Sequence, residues 1–138
     1  MTWLTYALLS AGFAAATAIL AKIGVQGVPS TLATAIRTSF ILPFTWVLVV
    51  AAGEHRGIPH LGRRTLLFLG LSGIATGLSW LAYFRALQLG NASQVAPVDK
   101  LSLPLTIVLA WAFLREPLTP RLVAGVLLMA GGALLTIR

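Results

Sequence analysis

Asp99 and Lys100 stand side by side in the run Ala96-Pro97-Val98-Asp99-Lys100-Leu101-Ser102-Leu103-Pro104, an acid and a base between two prolines, and apolar sequence continues to Phe113. Charges are costly inside a bilayer and are read there as functional by default. Arg37, Arg85 and Lys100 are candidates for neutralising a substrate charge or for ion pairing, Asp99 for pairing or proton coupling, and Ser79, Trp80, Tyr83 and Ser102 for polar and aromatic walls. This is the chemistry of binding and charge coupling. Covalent or metal chemistry is not expected: cysteine is absent, and the two histidines, His55 and His60, lie five apart in one polar loop. The sequence therefore predicts neither an enzyme nor a bound cofactor.

These residues gain their meaning from the composition around them. Of 138 residues 58% are hydrophobic and 9% charged, where a soluble domain carries about 25% charged residues. The mean hydropathy is +0.93. The chain is a membrane protein by composition, because buried helices of a soluble bundle would need far more polar surface than three acids and ten bases provide. A net charge of +7 would suggest nucleic acid in a soluble chain, but the bases are scattered singly or in one pair and form no patch. No basic region precedes the first apolar run, which is long enough to span, so that run is expected to be a retained helix.

Spans of about 20 apolar residues can be placed five times, near residues 3–22, 32–53, 65–89, 95–114 and 122–137. The first is rich in alanine and ends at the turn marked by Gly24, Gly27 and Pro29. Pro43 lies at the middle of the second, where a kink is expected. Gly70, Gly73 and Gly77 in the third invite close approach of another helix. In the fourth, Pro97 is placed in the tolerated first turn and Pro104 in the interior, where it loosens one hydrogen bond. The fifth is short unless Arg121 and Arg138 snorkel at its ends. No length remains for a soluble domain, so residues 1–138 read as one transmembrane domain.

At about 100° per residue, polar residues gather into one stripe on each of four helices: Tyr6, Ser10 and Thr17; Thr34, Thr38 and Thr45; Ser72, Thr76, Ser79 and Tyr83; and Asp99, Ser102 and Thr106. Stripes facing a common centre would enclose a polar cavity. Any single hydroxyl is more simply explained by a bond to its own helix backbone. Five spans put Arg37, Arg85, Asp99 and Lys100 on one membrane side, so an ion pair of Asp99 with Arg85 or Arg37 is expected. Lys100 should point about 100° away from Asp99. Lys and Arg divide five to five between the two sides. Loop residues alone predict a cytoplasmic N-terminus, whereas the full count has no bias and suits insertion both ways round.

The chain resembles the EamA-like domain of the drug/metabolite transporter superfamily, in particular its short single-domain bacterial members. The likeness rests on Ala21-Lys22, Ala35-Ile36-Arg37, Trp80 with Tyr83-Phe84-Arg85-Ala86-Leu87 and Gly90, Ala92-Ser93, Ala96 to Ser102, Leu114-Arg115-Glu116, Gly125 and Gly131-Gly132. The resemblance implies an all-α integral membrane protein, its five transmembrane helices forming one half of an inverted-repeat transporter. It further implies a multi-pass protein of the bacterial inner (plasma) membrane that pairs with a second copy, most simply as an antiparallel homodimer, or with a different five-helix subunit. The implied cargo is a small polar metabolite, moved by alternating access. Basic groups outnumber the acid in the expected cavity, which favours an anionic or zwitterionic solute. The first helix lacks the membrane-embedded glutamate of the small multidrug exporters, which argues against a cationic-drug antiporter. The competing expectations are a non-transporting scaffold or accessory subunit and a flippase for a lipid phosphate.

Overall fold

The computed structural model describes residues 2–137, all of whose regular elements are helical. They are α1 (Trp3–Gly24), α2 (Ser30–Ala51), a 3₁₀ segment (Glu54–His60), α3 (Arg63–Leu89), α4 (Ala92–Asp99), α5 (Ser102–Leu109), a single π-type turn (Ala110–Leu114) and α6 (Pro120–Leu135). Helices dominate because a chain in hydrocarbon must satisfy its backbone internally. Their outer faces are apolar: Phe40 is 74% exposed and Phe113 80%. Such surface demands lipid as its cover.

Four segments are long and apolar enough to cross a membrane: Trp3–Gly24, Ser30–Ala51, Arg63–Leu89 and the composite Ala92–Leu114. The expected fifth span differs. Helix α6 has 16 residues, a rise of about 24 Å against a hydrocarbon core of about 30 Å. Its start is sharply defined, since the Thr119 hydroxyl accepts from the Leu122 N–H at 3.2 Å and Pro120 occupies the first helical position. Arg138, expected to extend this span by snorkelling, lies outside the described residues.

Two compact units are distinguished, one comprising Ala21–Gln88 and the other the remainder of the described chain. In the first unit the core lies where the α1–α2 connection meets the end of α3: Val25, Phe84 and Leu87 are buried, as is Thr34. Gly27, at φ 70°, turns the connection through the left-handed region that glycine tolerates. Gln88 holds this turn. Its side-chain amide donates to the carbonyls of both Val25 and Val28, while its own Oε1 accepts from Arg85 Nη1 at 3.1 Å. The Lys22 ammonium donates to the Leu87 carbonyl, so a cation meets the negative end of the α3 dipole.

In the second unit α6 packs against both α4 and α5. The stretch expected as one helix over 95–114 is broken at residues 100–101. Pro97 is interior to α4, because that helix begins at Ala92 and not at Val95. Nor do the glycines of α3 receive a helix: a Cβ built at Gly70, Gly73 or Gly77 would meet nothing within 4 Å, and the same holds for Gly131 and Gly132 in α6. Their shallow faces stand open.

Gln88 was not singled out by sequence, yet it carries two carbonyls of a turn that has no helical partners of its own. Replacing it by Leu strands the Val28 carbonyl in a half-buried site and leaves Val25 with the Val28 N–H alone, at a cost of about 1–3 kcal/mol. A lower unfolding midpoint in detergent is expected for Gln88→Leu, and a smaller loss for Gln88→Asn.

Candidate functional site

The break in the fourth span follows from its prolines. Pro104 has no N–H for the Lys100 carbonyl, and it disfavours helical geometry at Leu103. The Leu103 N–H supplies the Lys100 carbonyl instead, at 2.9 Å, and so leaves the Asp99 carbonyl that a regular helix would give it. Upstream the Lys100 and Leu101 N–H groups close tight turns onto Pro97 and Val98, at 3.1 and 3.0 Å. The ladder has thus changed from four-residue to three-residue spacing, passing over the carbonyls of Ala96 and Asp99. Pro97 withholds a donor from Ser93 in the same way.

Asp99 and Lys100 sit at this break. Their side chains form an ion pair, Lys100 Nζ to Asp99 Oδ2 at 3.3 Å, with both groups partly exposed. This corrects one expectation. The divergence of the neighbours by 100° assumed an unbroken helix, whereas Lys100 has ψ −5° and leaves it. The Asp99 carboxylate is paired with its sequence neighbour. Ser102, the first residue of α5, is exposed.

The other candidates lie in the first unit. The Arg37 guanidinium stacks over the Trp80 ring at 4.2 Å from its centroid and lies 5.6 Å from the Phe84 centroid. Aromatic faces attract guanidinium through their quadrupole. Tyr83 meets Phe84 in a tilted arrangement, ring centroids 6.3 Å apart. Arg85 is exposed and engaged with Gln88. Ser79 is exposed on the flank of α3. The structure therefore joins Arg37 with Trp80, near Tyr83 and Phe84, and joins Asp99 with Lys100.

The hydroxyl stripes serve their own helices. Thr34, Thr38, Thr45, Thr76 and Thr106 each donate to the carbonyl four residues earlier, at 2.8–3.0 Å. Their donors are spent on backbone, so any direct contact they make with a solute is as acceptors.

An apolar, membrane-length helix set, interrupted once and carrying an ion pair at the interruption, matches a family model for EamA-like transporters over residues 1–138. The chain belongs to the EamA-like transporter family. It is also 50% identical over 134 residues to a protein of Sinorhizobium sp. described as an uncharacterized transporter in the cobO 3' region, covering 97% of this chain and 95% of that protein. No solved structure matches it. The EamA-like chain is accordingly a multi-pass membrane transporter by family.

Pro104→Ala supplies the missing N–H. The four-residue ladder can then close, and amide exchange at Leu103 is expected to slow about tenfold, the worth of one hydrogen bond.

Proposed function

We propose that this chain is one half of a transporter that moves a small polar solute by alternating access, the complete unit being two copies related by inversion in the bacterial inner membrane. The observation that carries this reading is the broken fourth span with Asp99 and Lys100 at the break. Discontinuous membrane helices place polar backbone at mid-depth, where transporters bind their cargo and coupling ions. An uncommitted helix would have no reason to expose carbonyls there.

The ion pair has a role in this scheme. Asp99 neutralises Lys100 when the cavity is empty, which lowers the cost of holding either charge in the bilayer. Proton arrival at Asp99 dissolves the pair and frees the ammonium for an anionic or zwitterionic solute. Solute and proton thereby compete for or share one element, which is the requirement for coupling. Ser102, the first residue of α5, adds a hydroxyl beside this element.

Pairing of inverted copies is supported by the even division of bases, which lets the chain insert both ways, and by the open glycine faces of α3 and α6. A different five-helix partner is the alternative. Reporter tags on both termini decide between them: equal populations on the two membrane sides are expected, whereas a single orientation requires a second protein.

Transport is tested in proteoliposomes with labelled amino acids and small organic acids under an imposed proton gradient. Flux is expected to fall at least about tenfold in both Asp99→Asn and Lys100→Ala, the effect of leaving one charge unpaired in the membrane. Unchanged flux in both variants overturns the assignment of the break as the coupling element. Absence of flux for every solute and gradient favours a scaffold or accessory subunit, and phospholipid scrambling by the same vesicles favours a lipid-phosphate flippase.

A further inference from the structure

Arg37 is the eighth residue of α2, about 10 Å of helix rise below its first turn. An arginine at that depth has an available resting place: its long side chain can snorkel outward to the lipid headgroups. It does not do so. Within this unit the Gln88 amide ties the Val28 carbonyl, two residues before α2, to the end of α3, so the start of α2 and the end of α3 share one membrane side. Phe84 lies nearer that end of α3, and Trp80 lies a full turn deeper. The guanidinium is closer to the deeper ring, 4.2 Å from the Trp80 centroid against 5.6 Å from that of Phe84. The guanidinium thus rests chiefly on Trp80.

Stacking engages the face of the guanidinium and leaves its edge, where all five N–H donors lie. Among the described residues no hydrogen bond or ion pair engages those donors. Tyr83, the titratable side chain close enough to influence Arg37 electrostatically, offers a phenol and no carboxylate. A positive fork held by an aromatic platform can make two parallel bonds to a carboxylate or phosphate. Hydrocarbon around it strengthens that bond and makes an empty fork costly.

We propose that the Arg37 edge, platformed on Trp80, is an oxyanion-binding subsite that receives the carboxylate or phosphate of its ligand. A soluble anion and a phospholipid headgroup share this chemistry. The soluble source rests on the transporter reading above, while the binding step stands independently of it.

The test uses the full chain in nanodiscs of zwitterionic lipid and the arginine reagent phenylglyoxal, with Arg37 labelling followed by mass spectrometry. Succinate or inorganic phosphate is expected to slow labelling of Arg37 about tenfold at saturation, and choline to leave it unchanged. Trp80→Phe keeps an aromatic platform and is expected to retain protection; Trp80→Leu, checked for native helicity, is expected to lose most of it. Protection that appears only when anionic phosphatidylglycerol is added assigns the oxyanion to a headgroup. Labelling that neither soluble anion nor anionic lipid slows, or that choline slows equally, overturns the subsite. Protection without flux in proteoliposomes would retain the subsite and remove the transporter reading, whereas flux without protection would do the reverse.

Discussion

A peptide carbonyl or N–H facing hydrocarbon has no water to turn to, and each one left unmatched costs several kcal/mol. That constraint explains the chain more completely than any contact between side chains. It accounts for the exclusively helical elements, and for threonines that bond their own backbone four residues back. It also explains why a single glutamine is so heavily used: within the α1–α2 turn only the Val28 N–H reaches back to Val25, so Gln88 adds a second donor there and serves the Val28 carbonyl from α3.

Against that background the interruption between α4 and α5 is an exception that prolines impose. Pro97 and Pro104 each remove a donor, and the intervening residues respond by tightening to three-residue spacing. The result is a local concentration of polar backbone beside Asp99 and Lys100. In a soluble protein water would cover it at little cost. In a bilayer it needs a cavity, a partner or a ligand.

The two charged arrangements solve the problem of intramembrane charge differently. Asp99 and Lys100 cancel one another within one strand of sequence, an arrangement that a proton can undo. Arg37 has no acid beside it and relies on aromatic faces, whose attraction persists without neutralising its charge.

Much of this was legible in the residues alone. Composition decided that the chain lives in lipid, since hydrophobic mass of this extent has no soluble cover, and apolar run length placed four of the membrane helices. Pro104 announced a weakened ladder, and its spacing from Pro97 located the stretch. The extent of the break was not legible, because it depends on how neighbouring N–H groups choose between carbonyls three and four residues away. Partner choice was not legible either. The folded chain engages Arg85 with Gln88 and Asp99 with Lys100, local contacts that helical periodicity did not select. Gln88 carried no signal, being one polar residue near a helix end, until folding brought it against carbonyls 60 and 63 residues earlier. The sequence by itself determined the solvent and the helices, for those follow from local apolar content. Only the tertiary structure decided which polar groups meet, because that depends on the packing of segments far apart in the chain.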